Sequence, residues 1–169
     1  RIAKKYAQQP DRYITELNRI LIEEMPSFFI TAIYSLFLRD TEKNAMTFSF
    51  SNGGHPYPLH FSAAEDSYTL IRKSSTIVGM FEEVTYGTYN VALNRGDRIF
   101  MMTDGIPEAE NEIHDMIGFE EGLTGLFRRS FRNSLSDTLD TVIEELNKFR
   151  GAVPPDDDII LMGFEVSTI

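Results

Sequence analysis

Two acidic segments border apolar runs with opposite polarity, and this arrangement constrains the fold more than any other feature of the sequence. The apolar run at residues 99–102 leads into Asp104, whereas the triple aspartate at residues 156–158 precedes the apolar run at residues 159–166. Both runs have the length and the flanking turn residues of buried strands. If these strands are antiparallel neighbours, the end of one lies beside the start of the other. The sequence then predicts that Asp104 and Asp157 meet at one edge of a sheet.

A pair of carboxylates at such an edge is a candidate metal site. Two carboxylates held together repel each other unless a cation lies between them, and hard oxygen ligands suit Mg²⁺ or Mn²⁺. Gly105 supports this interpretation because a glycine lets a ligand approach the main chain closely. Plainer interpretations stay open, since Asp104 and Gly105 can form a strand-ending turn and residues 156–158 can form a solvated loop or a cap.

Composition limits the class of protein. The chain has 169 residues, of which 42% are hydrophobic, and this fits one globular domain with a substantial core. No stretch has the length of a membrane-spanning segment, so we expect no membrane contact. The sequence has no cysteine, which excludes disulfides and cysteine catalysis and is compatible with a reducing cytoplasm, where we expect the protein to act.

The charge distribution also excludes a class of partner. The formal net charge of -10 disfavours general nucleic-acid binding, which needs concentrated Lys and Arg. No basic residue lies between Arg98 and Arg128, and the acidic residues of that interval are Asp104, Glu108, Glu110, Glu112, Asp115, Glu120 and Glu121. Such a field can concentrate cations near Asp104, although a solvated loop and helix start explain it as well.

The hydrophobic periodicity separates strands from helices along the chain. One helix is predicted from Pro10 to Glu24, a short one over residues 119–129, and a longer one over residues 135–149, with Ser134 as its cap and Gly151 as its stop. The predicted strands cover residues 28–38, 46–51, 57–61, 68–72, 85–93, 99–102 and 159–166, the first two forming an antiparallel hairpin. Strands followed by helices and a last strand indicate a single α+β domain over residues 1–169 with antiparallel sheet.

Three segments together resemble a known family. Residues 52–59 read Asn-Gly-Gly-His-Pro-Tyr-Pro-Leu, residues 96–109 contain Gly-Asp-Arg and Thr-Asp-Gly-Ile-Pro-Glu-Ala, and residues 157–159 read Asp-Asp-Ile. In order and spacing they are similar to the patterns of the SpoIIE/RsbU-like branch of the PPM metal-dependent serine/threonine phosphatases. The resemblance covers nearly the whole chain. It departs from the family at Ile160, where a threonine is usual, and at Gly53, where an alanine is usual.

The resemblance implies a sandwich of two antiparallel β-sheets flanked by helices, with a two-metal centre holding Mn²⁺ or Mg²⁺. By motif match, Asp104 and Asp157 correspond to metal ligands at the catalytic centre, and Asp158 binds a further cation or orients water. The implied reaction is phosphoester hydrolysis by a metal-activated water. His55 matches a family position whose expected role is structural, bracing a turn. Asn111 is expected to be a loop residue, and His60 and His114 show no partner pattern.

The resemblance also implies that this chain is the C-terminal portion of a SpoIIE-like domain. The family's opening strands, which carry an Asp and a Gly that bridge the metals, have no counterpart before Arg1. We therefore expect half of the metal site to be missing, the chain alone to be inactive, and exposed sheet edges to favour self-association, with a homodimer as one form.

Two further functions compete with the leading one. The leading hypothesis is a protein phosphoserine/phosphothreonine phosphatase domain of a bacterial-type signalling protein, whose implied substrate is a phosphorylated anti-sigma-factor antagonist. The first alternative is a non-catalytic regulatory or protein-binding module with the same fold. The second is a metallohydrolase of small phosphoesters, which predicts basic residues around Asp104 that this part of the sequence lacks.

Overall fold

A computed structural model describes residues 2–128, 130 and 133–167. The helices and strands are, in chain order, α1 (Ile2–Tyr6), α2 (Pro10–Glu24), β1 (Ala32–Asp40), β2 (Ala45–Gly53), β3 (Leu59–Ser62), β4 (Ser67–Leu70), β5 (Tyr89–Leu93), β6 (Arg98–Met102), α3 (Glu121–Phe127), α4 (Leu135–Arg150) and β7 (Leu161–Glu165). They form two compact units, which we describe separately. The first unit contains Arg1–His55 and Arg72–Asn94, and the second contains Pro56–Ile71 and Arg95–Ser167.

The first unit is a three-stranded antiparallel sheet with helical segments. Its strand order is β1-β2-β5, and the predicted hairpin is present as β1 and β2. Helix α2 has the predicted bounds, with Pro10 in its first turn, where a missing N–H costs nothing. Its apolar stripe buries Ile14 and Leu21 against Val78 and Tyr86. The burial of this stripe explains why the periodicity predicted the helix correctly.

Two strands of the first unit are shorter than predicted. Strand β1 begins at Ala32 rather than at residue 28, and Phe28, at the start of the predicted strand, is 61% exposed. Strand β5 begins at Tyr89 rather than at residue 85. Thr88 accounts for part of this difference, because its hydroxyl donates to Asp11 and accepts from the Asp11 N–H at the start of α2. Its polar groups therefore serve the helix end.

The second unit is a four-stranded antiparallel sheet packed against helices. Its strand order is β4-β3-β6-β7, with β6 buried along its whole length. The buried core joins the sheet to α3 and α4 and consists of Leu59, Phe61, Phe100, Met102, Ile106, Ala109, Leu123, Leu126, Phe127, Val142 and Leu146. The sheet face therefore buries the apolar stripes that the sequence placed on both helices.

Helix α4 ends where the sequence predicted. The Ser134 hydroxyl accepts from the Asp137 N–H at 3.1 Å, and Gly151 follows the last residue with φ of 60°. Helix α3 is shorter than predicted, because it begins at Glu121 and Phe119 is 39% exposed. The predicted end of α3 at Arg129 lies outside the described residues.

The predicted α+β class, with two antiparallel sheets and flanking helices, is confirmed. The prediction of a single domain over residues 1–169 stays a prediction. Within the described part of the chain, no helix combines the length and the apolar character needed to cross a bilayer.

Candidate metal centre

The pairing of β6 with β7 brings the two acidic segments to the same end of the sheet. The strands are antiparallel, and the last pair of residues in register is Met102 with Leu161. The ladder continues beyond the strands, since the Thr103 N–H donates to the Ile160 carbonyl at 3.1 Å. Asp104 directly follows Thr103, and Asp157 lies shortly before Ile160 on the neighbouring segment. The two strands are therefore antiparallel neighbours, which is the condition for the predicted meeting of Asp104 and Asp157.

Thr103 connects the end of β6 to the aspartate segment, which we define as residues 156–158. Its hydroxyl donates to the Asp158 carbonyl at 2.7 Å and accepts from the Ile160 N–H at 2.9 Å. These two bonds join segments that lie more than fifty residues apart in sequence. No sequence pattern predicted a role for Thr103, although its place directly before the Asp-Gly pair was a usable signal.

Gly105 is required where the two segments approach. A Cβ atom at this position would lie 2.8 Å from the Asp158 carbonyl oxygen and 3.2 Å from that of Asp157. Such contacts are too short for any side chain, and the obstacle is backbone that cannot move aside. The chain turns tightly here, with the Glu108 N–H donating to the Asp104 carbonyl at 2.9 Å. The glycine therefore allows the Asp104 turn to pack directly on the Asp157 segment.

The aspartate side chains differ in their surroundings. Asp104 is half-buried, whereas Asp157 and Asp158 are exposed. Asp157 accepts from the Asp158 N–H through Oδ1 at 2.7 Å, and the fold supplies no hydrogen-bond donor to the Asp104 carboxylate among the described residues. These side chains offer the oxygen donors that Mg²⁺ and Mn²⁺ prefer. The described residues nevertheless bring no three His, Asp or Glu side chains together closely enough to enclose an ion. The donor chemistry fits a divalent metal, and the ligand number is incomplete.

A small pocket adjoins the aspartate segment. Its volume is about 180 Å³, and its walls are Gly105, Glu108, Ala109, Glu110, Met116, Arg150, Pro154, Pro155, Asp156 and Asp157. No Lys or Arg lies near Asp104 in the sequence, but the fold places Arg150 in this pocket. Arg150 ends α4, and the chain leads from there directly to Asp157. The predicted helix end, so close to the aspartates, was the signal that could have identified it.

The histidines and Asn111 lie outside any metal-binding cluster of the described residues. His55 sits in a turn that Asn52 closes, since the Asn52 amide donates to the His55 carbonyl and accepts from its N–H. The imidazole of His55 lies 3.4 Å from the Thr31 hydroxyl. Asn111 accepts two backbone N–H groups of its own loop, which agrees with the expected loop role.

The other two histidines each have an acidic neighbour that no sequence pattern predicted. The His60 Nε2 atom lies 3.3 Å from Asp97 Oδ2, although the angles do not make a hydrogen bond. The His114 Nδ1 atom lies 3.0 Å from Glu110 Oε2. The His60 contact joins β3 to the turn before β6, and the His114 contact lies within one loop. Neither contact involves the aspartates of residues 156–158.

Comparison with known proteins gives consistent results. The model of the SpoIIE family, described as Stage II sporulation protein E, matches residues 1–167. The phosphoserine phosphatase RsbU of Bacillus subtilis (strain 168) is 23% identical over 104 residues, which is 61% of this chain and 30% of RsbU. The chain therefore spans less than a third of that curated relative.

Solved structures share the fold. The SiaA-PP2C domain of Pseudomonas aeruginosa superposes with a TM-score of 0.76 at 16% identity, covering 97% of this chain and 63% of that one. The phosphatase domain of SpoIIE from Bacillus subtilis, presoaked with Mn, gives a TM-score of 0.68 at 18% identity, covering 99% and 71%. The fold is thus that of PP2C-type phosphatase domains. Because the family model covers nearly the whole sequence, the chain belongs to the SpoIIE family.

Proposed function

We propose that residues 1–169 belong to a metal-dependent protein phosphoserine/phosphothreonine phosphatase domain. Membership of the SpoIIE family and similarity to a phosphoserine phosphatase support this activity. We further propose that the domain belongs to a cytoplasmic signalling protein and acts on a phosphorylated protein, with an anti-sigma-factor antagonist as the expected substrate class. Nucleic acid and membranes are not among the proposed partners.

The observation that carries the proposal is the junction between β6 and the aspartate segment. Thr103 bonds to the Asp158 carbonyl and to the Ile160 N–H, and Gly105 lets the Asp104 turn pack directly against that segment. The carboxylates of Asp104 and Asp157 are therefore attached to backbone that is fixed before any ligand arrives. Preorganised ligands lower the cost of binding a cation, because little ordering remains to be done.

We assign Asp104 and Asp157 as metal ligands and Asp158 as a further ligand or a residue that orients water. When bound, divalent ions of the Mg²⁺ or Mn²⁺ type supply Lewis acidity and charge neutralisation for phosphoester hydrolysis. The chain itself positions carboxylate oxygens, through Thr103 and Gly105, at an edge that a phosphorylated protein can reach. The Mn presoak of the SpoIIE phosphatase domain supports the choice of metal.

A non-catalytic regulatory module is the second candidate. It is favoured by the absence, among the described residues, of a cluster of three ligating side chains. Two carboxylates leave most of the coordination of a cation to water, so we expect weak binding. Calorimetry of the chain with Mn²⁺ should show little heat at micromolar concentrations. A tight stoichiometric isotherm would mean that these residues form a complete site on their own.

Activity is best tested in the intact protein that carries these residues. We expect it to release phosphate from a phosphoserine peptide only when Mn²⁺ or Mg²⁺ is present. Asp157→Asn should abolish the release, because the substitution removes a charged metal ligand while keeping the side-chain volume. Asp140→Asn is the matched control, since Asp140 is an exposed aspartate on α4, and it should retain activity.

Two results would overturn the proposed function. The first is metal-independent release of phosphate by the intact protein. The second is full activity of Asp157→Asn. Absence of any hydrolysis over a range of phosphorylated peptides and proteins, together with binding of such proteins, would instead favour the regulatory module.

A further inference from the structure

Arg150 is a cation at an acidic site, and it forms no ion pair with another described residue. Its guanidinium donates through Nη1 to the Asn147 side chain at 3.2 Å and through Nη2 to the Val153 carbonyl at 2.8 Å. A guanidinium has five N–H donors, so these bonds use two of them. The Nε atom is buried without a hydrogen-bond partner among the described residues. Because Nε is buried, a ligand in a pocket cannot reach it, and the donors left for a ligand are on Nη1 and Nη2.

The position of Arg150 relates it to the proposed centre. It shares the 180 Å³ pocket with Asp157 and Gly105, and four acidic residues, Glu108, Glu110, Asp156 and Asp157, line the same walls. None of these carboxylates is within 4 Å of the guanidinium as an ion pair in the described part of the chain. The bonds to Asn147 and Val153 hold the side chain in place, and Nη1 and Nη2 each keep a second N–H that these bonds do not use.

The pocket has the size and the donors for a phosphate group. Sites for drug-sized ligands measure roughly 300–1,000 Å³, so this pocket suits a smaller group. Arginine is the side chain that best matches the tetrahedral oxygens of a phosphate, through several parallel N–H donors. The acidic walls would repel a phosphate anion unless divalent cations neutralise them, and the binding of phosphate should therefore depend on metal.

We propose that Arg150 contacts the phosphate of the phosphoserine substrate in the pocket beside Asp157. The inference rests on the proposed function for the identity of the substrate, but not for the phosphate contact itself. The competing explanation is structural, because Arg150 also holds the Val153 carbonyl at the start of the loop that leads to Asp157. In that case its loss would disturb the metal ligand as well as the phosphate.

The test measures the affinity for metal and the affinity for phosphate separately in the intact protein. Calorimetry with Mn²⁺ gives the first, and calorimetry with inorganic phosphate in the presence of Mg²⁺ gives the second. We expect Arg150→Gln to weaken phosphate binding about ten- to a hundredfold, the range for a lost charge-assisted hydrogen bond, and to leave Mn²⁺ affinity within about twofold. Arg150→Lys should recover part of the loss, because it keeps the charge without the planar fork.

Lys148→Gln is the matched control. It removes the same charge from the same last turn of α4, but Lys148 does not line the pocket beside Asp157. Its phosphate affinity should equal that of the unmodified protein. Thermal unfolding of each variant establishes that it is folded before its binding is compared.

The outcomes separate the inference from the proposed function. The inference is overturned if the intact protein binds no phosphate with Mg²⁺ present, if Arg150→Gln binds it normally, or if phosphate and Mn²⁺ affinity fall together. If phosphate binding depends on Arg150 but no phosphopeptide is hydrolysed, the inference stands and the proposed function fails. If Arg150→Gln hydrolyses phosphoserine peptide with unchanged KM and kcat while Asp157→Asn is inactive, the function stands and the inference fails.

Discussion

The two ends of β6 each carry an aspartate, and the two aspartates have opposite surroundings. Before the strand, Asp97 is 1% exposed, and its Oδ1 accepts from the Ala63 N–H at 2.9 Å. After the strand, Asp104 is half-buried, and its carboxylate accepts no hydrogen bond from the described residues. A carboxylate whose lone pairs are used by the fold is a structural element. One that the fold positions but does not satisfy is available to a ligand.

The next residue extends this difference. Arg98, directly after Asp97, is buried, and its guanidinium donates to Glu165 at 2.7 Å, to the Thr138 hydroxyl and to the Asn133 carbonyl. The start of β6 is thus a closed polar network that ties the strand to β7 and α4. The other end, at Thr103 and Gly105, fixes only backbone. The comparison predicts that substitutions at the start of β6 affect stability, whereas those at its end affect activity.

The largest expected effect is on catalysis. Asp104→Asn should lower metal-dependent hydrolysis of a phosphoserine peptide about 10³-fold or more, or roughly 4 kcal/mol in the activation barrier, because a charged ligand is lost. Its free energy of unfolding should change by less than about 0.5 kcal/mol, since no hydrogen bond of the fold is removed. Steady-state kinetics and urea denaturation measure the two effects. A large loss of stability in this variant would contradict the comparison.

The next largest effect is on stability. Arg98→Met should lower the free energy of unfolding by about 3 kcal/mol, because Glu165, Thr138 and the Asn133 carbonyl lose a charged donor in one step. Urea denaturation is the measurement. Arg39→Met is the control, since Arg39 is exposed on β1, and it should change stability by less than about 0.5 kcal/mol. Equal effects of the two substitutions would show that the network at the start of β6 contributes nothing.

The sequence predicted those parts of the fold that local chemistry determines. Helix α2 keeps its predicted bounds because its stripe and first-turn proline are local, and α4 has the predicted cap at Ser134 for the same reason. The meeting of the two acidic segments followed from strand polarity, which is also readable along the chain. The role of Asp104 and Asp157 as metal ligands stays a prediction.

What the sequence could not provide depends on contacts between distant segments. Thr103 and Asp158 are separated by 55 residues, and nothing in their local patterns specifies the bond between them. Arg150 was missed because the charge count covered only the sequence around Asp104, whereas Arg150 lies near Asp157 and the fold brings Gly105 to the same pocket. Strand β1 was predicted too long because Phe28 has high strand propensity but no strand partner to bury it.

A smaller loss of stability is expected at Asp97. Asp97→Ala should cost about 2 kcal/mol, because the Ala63 N–H is left without its acceptor. The metal affinity of the variant should stay unchanged, in contrast to that of Asp104→Asn. Urea denaturation and calorimetry with Mn²⁺ test the two statements. A variant that binds Mn²⁺ more weakly while keeping its stability would reverse the roles assigned to the two ends of β6.

The smallest expected effect tests whether a buried hydroxyl stabilises the fold only when it has a hydrogen-bond partner. Tyr68 on β4 has a buried hydroxyl with no hydrogen-bond partner among the described residues, and burial raises its pKa to about 12. Tyr86, whose hydroxyl lies 3.2 Å from the Ile77 carbonyl and from the Asn18 side chain, is the matched control. Tyr68→Phe should raise the free energy of unfolding by about 1 kcal/mol, and Tyr86→Phe should lower it by about 1 kcal/mol, because only Tyr86 loses a bond.

The pH dependence of Tyr68→Phe provides a second measurement with a definite sign. The folded chain holds the Tyr68 proton with a pKa of about 12, above the value near 10 of an exposed tyrosine. Between these values the unfolded chain binds fewer protons, so stability falls as the pH rises from about 10 to about 12. Tyr68→Phe removes this contribution, and its stability should fall less steeply over that range. Identical slopes for the two proteins would show that the Tyr68 hydroxyl is not held in the neutral form by burial.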